Sequence, residues 1–338
     1  MKALVTGATG FVGLHVARCL LGRGHAVRVL ARNPERAARL FAPGSVEIAT
    51  GDMTDAAAVR AALAGRDALV HAAAAVSLDP RDAERLLREN VAGAHAVTEG
   101  CAAAAVERVV YVSSLTTIWS SSAPDPNGAS PLRSSRNGYA RAKIEAERVV
   151  RARQDAGAPI AIVYPNGVIG PDDPGLLLGG LASEAVRAFR GFSRTTLATS
   201  GGLASVDARD LALFCVRLLE ERRCGRFVMG GQYQSWDELV AALEPLTGRA
   251  IARVRAPGWA LRAAGSALDW LRRVRPVASP ISREAMEYAT GMRALPNDAA
   301  LAELGVALRP LRETYYETLQ SLAAARAARR PEAPATAR

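Results

Sequence analysis

The chain is 338 residues long, 49% hydrophobic and 22% charged, the proportions of a globular protein with a sizeable core rather than a disordered one. Basic residues outnumber acidic ones 43 to 33, a formal charge of +10, but the arginines are spread along the chain without a nucleic-acid motif, so no nucleic-acid partner is expected. No apolar run approaches the roughly 18 residues of a spanning helix, the N-terminus lacks a signal-peptide pattern, and the scattered Cys19, Cys101, Cys215 and Cys224 read as reduced thiols of a cytoplasmic protein with no metal site.

In chain order, short β-branched runs alternate with alanine-rich helical stretches. Strands are predicted at Ala3–Thr6, Ala26–Ala31, Val46–Ala49, Ala68–Ala73, Val109–Val112 and Ile160–Tyr164. Helices are predicted at Val12–Arg23, Glu35–Phe41, Ala56–Ala64, Arg81–Ala105 and Tyr139–Asp155. This alternation implies an α/β, doubly wound parallel sheet with helices on both faces. The near-continuous apolar character of the strands fits burial on both sides. After Pro165 the pattern breaks at Gly167, Gly170, Pro171, Pro174, Gly175, Gly179 and Gly180. The remainder reads as mostly helical, with short strands such as Arg226–Met229.

The first strand runs into the first helix through Thr6-Gly7-Ala8-Thr9-Gly10-Phe11-Val12-Gly13. Glycines there permit a tight turn and let phosphate oxygens approach backbone N–H groups, and the helix N-terminus adds partial positive charge. With a strand before it and a helix after it, this turn predicts a dinucleotide site. The second strand ends in Leu30-Ala31-Arg32-Asn33, with no acid to hold a ribose 2′-hydroxyl. Arg32 instead suits the 2′-phosphate, so NADP(H) is favoured, with NAD(H) as the alternative.

Of the 43 basic residues only Lys2 and Lys143 are lysines. Lys143 follows Tyr139 by four residues, which puts both on one helix face. An ammonium is a compact charge beside a phenol, where a guanidinium would be a wide planar fork. Such a cation favours the phenolate, lowers the tyrosine pKa and makes the phenol a usable proton donor or acceptor.

The glycine turn and Tyr139-Ala140-Arg141-Ala142-Lys143 together resemble the extended short-chain dehydrogenase/reductase family, of NAD(P)-dependent epimerase/dehydratase type. Gly51-Asp52-Met53, Val70-His71-Ala72-Ala73-Ala74, Asn90-Val91-Ala92-Gly93, Val110-Tyr111-Val112-Ser113-Ser114, Tyr164-Pro165-Asn166-Gly167 and Val206-Asp207-Ala208-Arg209-Asp210 continue the likeness in order, from about Met1 to Leu322. The resemblance implies a Rossmann-type domain over 1–165, its sheet completed by later segments. A smaller, mostly helical substrate-binding region would cover 166–322, with a disordered tail over 323–338. It implies Ser114, Tyr139 and Lys143 as the catalytic set, with Ser113 and Thr116 as fallbacks for the serine. It implies cofactor contacts from Gly7, Thr9, Gly10, Phe11, Val12, Gly13, Arg32, Asp52, Met53, His71, Ala72, Ala73, Asn90, Tyr139, Lys143 and Pro165. His71, Asp52 and Asn90 also have plainer readings as a core histidine, a cap and a backbone partner. Departures from the family pattern are Ile118-Trp119-Ser120, where a glycine is frequent, and Tyr164, where arginine is frequent. A homodimer through the helices at Arg81–Ala105 and Tyr139–Asp155 is a further implication.

The leading expectation is an NADP(H)-dependent oxidoreductase, similar to the dihydroflavonol-reductase and hydroxysteroid-dehydrogenase branches. It would transfer hydride to or from a carbonyl or secondary alcohol of a bulky, apolar small-molecule substrate. The alternatives are an NAD-dependent sugar or nucleotide-sugar epimerase and a non-enzymatic nucleotide sensor. Finally, Trp259–Val274 reads as a basic amphipathic helix, with Leu261, Ala264, Leu268 and Leu271 on one face and Arg262, Arg272, Arg273 and Arg275 within or beside it. It is read first as a cover for the substrate pocket, and otherwise as a weak, peripheral membrane contact.

Overall fold

The computed structural model describes residues 1–77, 79–178, 183–272 and 281–328. Its first half alternates as the sequence implies. The elements are β1 (Lys2–Thr6), α1 (Phe11–Gly22), β2 (Ala26–Ala31), α2 (Pro34–Ala38), β3 (Glu47–Thr50), α3 (Ala56–Leu63), β4 (Ala68–His71), α4 (Ala83–Ala103), β5 (Arg108–Val112), α5 (Gly138–Asp155) and β6 (Ile160–Pro165). The second half holds β7 (Gly167–Ile169), α6 (Pro174–Leu177), α7 (Glu184–Phe192), β8 (Thr195–Ala198), β9 (Gly202–Asp207), α8 (Ala208–Glu220), β10 (Gly225–Met229), β11 (Gln232–Ser235), α9 (Trp236–Thr247), β12 (Ala252–Arg255), α10 (Gly258–Leu271), α11 (Arg283–Gly291), α12 (Ala300–Glu303) and α13 (Leu311–Ala327).

Seven strands form one parallel sheet in the order β10-β6-β5-β4-β1-β2-β3. The order reverses between β1 and β4, the place where open α/β sheets bind ligands. The central strands carry no exposed face: Ala3, Leu4, Val5, Leu69, Val70, Ala161 and Ile162 are all buried. One side of the sheet packs against α1 and α8 around Val16, Leu20, Leu211 and Phe214, the other against α3, α4 and α5 around Val59, Leu63, Val97 and Val150. The doubly wound architecture follows from this two-sided burial.

Three differences from the sequence reading have physical causes. β4 ends at His71 rather than Ala73, because the chain must clear the Gly7 turn, where an added Cβ would stand 2.6 Å from the Ala73 nitrogen. Beyond Pro165 the described residues hold five short strands besides β10: β11-β9-β7 and the pair β12-β8. They surround a third core cluster of Phe189, Trp236, Leu239, Leu243 and Tyr315. The tail read from residue 323 is instead helical through Ala327, where α13 buries Leu322; residues 329–338 lie outside the described residues, as do Gly179, Gly180, Arg273, Val274 and Arg275.

Candidate active site

The glycine turn is shaped by contacts no side chain could share. Gly7 has φ +78°, and a Cβ on Gly13 would stand 2.2 Å from the Gly7 carbonyl oxygen. Gly13 therefore serves close packing, while Gly10 is exposed and caps α1 without a side-chain hydrogen bond. The first N–H groups of a helix have no intrahelical acceptor. Here no side chain takes their place, which suits an incoming phosphate. A cavity of about 440 Å³ opens over this turn, lined among others by Thr9, Gly10, Arg32, Arg36, Asp52 and Met53. Gly7, Ala72 and Ala73 line it too. The residues present fit a dinucleotide: an uncapped helix end for the pyrophosphate and two arginines at the far end. Arg32 is largely exposed and lies 3.8 Å from Asp52, a loose surface pair worth little in stability and free to turn to an anion. Arg36 was missed in the sequence; it sits in the first turn of α2, which Asn33 caps through its own side chain.

Other expected contacts lie behind the cavity rather than on it. His71 is buried, its Nδ1 2.8 Å from the Thr6 hydroxyl and its ring stacked on Tyr111. Burial, aided by the nearby Lys143 charge, pushes its pKa down to about 3. It is a neutral core histidine. Asn90 is buried and grips the backbone of Ala75 in both directions, at 2.9 and 3.0 Å. It holds the chain that leaves β4, so the plainer reading applies to both. Phe11 stands edge-on to His15, Val12 packs against the core, and Pro165 ends β6; none of the three lines the cavity.

Tyr139 lies in the first turn of α5, which Asn137 caps at 3.1 Å through the Ala140 N–H. Lys143, one turn on, is buried; its Nζ donates to the Val112 carbonyl at 3.0 Å and stands 5.5 Å from the Tyr111 ring centroid. Burial lowers its pKa to about 8, with Glu147 opposing. The phenol departs from the expected acidification. Burial raises the Tyr139 pKa, and the Ser114 hydroxyl pulls the other way.

The two serines after β5 separate cleanly. Ser113 is buried and donates to the Glu147 carboxylate. Ser114 caps a short turn at Leu115–Thr117, accepts from the Thr116 hydroxyl at 2.9 Å and faces the Tyr139 phenol. Ser114, not Ser113 or Thr116, thus stands beside the tyrosine.

Glu147 and Arg151 were not singled out in the sequence. Glu147 accepts from Arg151 at 2.8 Å and from the Tyr164 hydroxyl at 2.7 Å, and Arg151 also donates to that hydroxyl at 2.9 Å. Tyr164, where the family often has arginine, so receives a guanidinium from α5 instead. The four-residue steps Tyr139, Lys143, Glu147 and Arg151 were the available signal.

A second cavity of about 650 Å³ has Tyr139 in its wall. Ser77 and Asp79, which follow the segment lining the first cavity, also border it. Arg133, Arg272 and Arg283 on its wall are paired with Glu284, Asp269 and Glu287. Arg136 also lines it and, among the described residues, has no hydrogen-bond or ion-pair partner. These walls are more polar than the expected apolar substrate requires.

Residues 3–230 match the NAD dependent epimerase/dehydratase family. The chain belongs to that family. The chain is similar to sterol demethylase protein B of Methylococcus capsulatus, 31% identical over 267 residues that cover 76% of this chain and 78% of that one. Cinnamoyl-CoA reductase 1 of Arabidopsis thaliana is 28% identical over 259 residues, 72% of this chain and 74% of that one. Among solved structures, the UDP-glucose-4-epimerase of Stenotrophomonas maltophila with bound NAD superposes with a TM-score of 0.74 at 20% identity, over 97% of this chain and 99% of that one. That likeness concerns the fold. Membership in this epimerase/dehydratase family makes the protein an NAD(P)-dependent enzyme. Among the described residues no helix is long and apolar enough to cross a membrane, and no cluster of His, Cys, Asp and Glu could hold a metal ion.

Proposed function

We propose that the protein is an NADP(H)-dependent reductase of a bulky carbonyl compound, or a dehydrogenase of the corresponding secondary alcohol. The observation that carries this reading is Tyr139 on the wall of one cavity, with the Ser114 hydroxyl acting on its phenol and an arginine-bearing dinucleotide cleft next to it. Gly7, Thr9 and Gly10 would hold the pyrophosphate, Asp52 and Met53 the adenine side, and Arg32 with Arg36 the 2′-phosphate. The nicotinamide supplies the hydride when bound.

The chain's own residues handle the proton and the charge. Ser114 donates to the substrate oxygen and polarises it. Tyr139, kept protonated by its raised pKa, delivers the proton to the same oxygen as negative charge develops there. Lys143, one helical turn on, would add positive charge on the same helix face and stabilise the phenolate left after transfer. In the oxidative direction the roles reverse. Relatives that act on sterol or cinnamoyl compounds, by their names, support a bulky substrate. The polar cavity wall and the unpaired Arg136 favour one that also bears a polar or anionic group. A cytoplasmic homodimer joined through α4 and α5 belongs to this reading.

One observation favours a second reading. A polar cavity also suits a sugar, as an NAD-dependent epimerase would need. The test is NADPH consumption with a panel of bulky aldehydes and ketones. Turnover that Tyr139→Phe abolishes supports the reductase. Tightly retained NAD, with no net cofactor oxidation, supports the epimerase.

A further inference from the structure

Helix α10 is inside out. Its residues Trp259, Ala263, Ala264, Ala267, Trp270 and Leu271 are all exposed. Trp259 and Trp270 are 69% and 62% exposed and eleven residues apart, about three turns, so they share one face. The polar side chains face the protein. Arg262 donates to the Thr290 hydroxyl at 2.8 Å, Asp269 accepts from Arg272 at 2.7 Å and from the Arg283 N–H at 2.9 Å, and Ser266 lies 3.4 Å from the Arg283 guanidinium. Gly265 lets the helix sit tightly on Ser282, where a Cβ would stand 2.6 Å from the backbone. A surface helix ordinarily presents its charges to water and its apolar stripe to the core. Two exposed tryptophans on an unbroken apolar face mark a contact site rather than scattered surface residues.

Charge selects the partner. Between positions 252 and 275 stand Arg253, Arg255, Arg262, Arg272, Arg273 and Arg275 against the single acid Asp269. That segment thus carries a net +5, half of the chain's +10. Tryptophan settles at the lipid–water boundary, where its ring is apolar and its N–H is wet. Arg262 and Arg272 face the protein and Arg253 lies 3.7 Å from both Asp237 and Glu244, so among the described residues of this segment it is the exposed Arg255, at the end of β12, that is placed to meet an anionic headgroup.

We infer that the outward face of α10 docks the protein on an anionic phospholipid surface, with Trp259 and Trp270 inserted at headgroup depth. Trp270 also lines the cavity that contains Tyr139, so docking brings the mouth of that cavity to the lipid boundary. The inference rests on α10 and the arginines beside it and does not depend on the reaction proposed above.

The test is sedimentation of the full chain with vesicles, in neutral phosphatidylcholine and in the same lipid with about one third phosphatidylglycerol, at low and high salt. The expected result is binding to the anionic vesicles that weakens as salt rises. Trp259→Ser is expected to weaken it about tenfold, since one large apolar side chain is lost. Arg255→Ser is expected to weaken it only with anionic lipid, and both variants are expected to keep the wild-type melting temperature. Trp259 and Arg255 are exposed and outside the cavity wall, so loss of binding would not reflect loss of fold. No binding at low salt overturns the inference, and so does equal binding to neutral vesicles. Concentration-dependent dimerisation that Trp259→Ser abolishes, without vesicle binding, overturns it in favour of a second copy of this chain.

Discussion

Glu147 lies one helical turn beyond Lys143, and both side chains are buried. Its carboxylate raises the lysine pKa against the stronger pull of burial, while its own oxygens are held by Ser113, Arg151 and Tyr164. On one face of α5, Tyr139 is thus followed by a row of alternating charges, Lys143, Glu147 and Arg151.

The first consequence is a pH profile. Lys143 loses its proton near pH 8, and a reduction that needs the ammonium loses rate above that point. In steady-state kinetics, kcat/KM for carbonyl reduction is expected to be flat at lower pH and to fall as pH rises through about 8. A profile still flat two units higher would mean the ammonium is not required.

Stability carries the opposite sign. Folded Lys143 binds its proton less tightly than an unfolded lysine of ordinary pKa 10.5. Below about 8 both states are protonated and the burial cost is fully present. Between about 8 and 10.5 the unfolded chain holds more protons, so this residue makes stability rise with pH. Lys143→Met is expected to remove activity yet raise stability at neutral pH by up to about 3 kcal/mol. Urea unfolding of both proteins at two pH values checks this.

The neighbouring serines give a divided result. Ser114→Ala is expected to lower kcat about 10²–10³-fold with little change in melting temperature. Ser113→Ala deprives Glu147 of a donor and is expected to cost about 1–3 kcal/mol of stability with most of the rate retained. A reversal of these effects would exchange the roles assigned to the pair.

Breaking the buried row is expected to be costly. Glu147→Gln leaves Arg151 without its charge partner and is expected to destabilise the fold by about 3–5 kcal/mol. Denaturant titration reads this directly, and a loss below about 1 kcal/mol would show that the pair is solvated.

Cofactor choice is expected to follow the two arginines of the cleft. Arg32→Ala and Arg36→Ala should each weaken NADPH binding about tenfold or more and leave NADH nearly unchanged, since each removes a charge-assisted contact to the 2′-phosphate only. Fluorescence titration with both nucleotides measures the ratio, and equal weakening of both would refute that role.

Much of this was legible in the chain because the parallel sheet is buried on both faces. Runs such as Ala3–Val5 and Ile160–Val163 are apolar throughout, and burial on both sides demands that. The short strands of the second half were not visible in the same way. β11 is Gln-Tyr-Gln-Ser and β12 is Ala-Arg-Val-Arg, so their form comes from pairing with distant β9 and β8. Tyr139 and Lys143 stood out through rarity and spacing. The direction of the Tyr139 pKa did not, because burial depends on what folds over the residue. Glu147 and Arg151 carried no signal beyond their spacing, because their burial depends on β6, which brings Tyr164 against them. The apolar substrate was an inference from likeness, and the polar cavity wall redirects it.

The most direct test of the central claim follows a label. Purified protein is given NADPH deuterated at the transferable position and a bulky ketone, and the product is read by mass spectrometry. The expected result is one deuterium on the carbinol carbon of the alcohol, one NADP formed per alcohol, and neither with Tyr139→Phe. An unconsumed cofactor, together with a sugar substrate that changes configuration and returns its own hydrogen, would contradict the reductase.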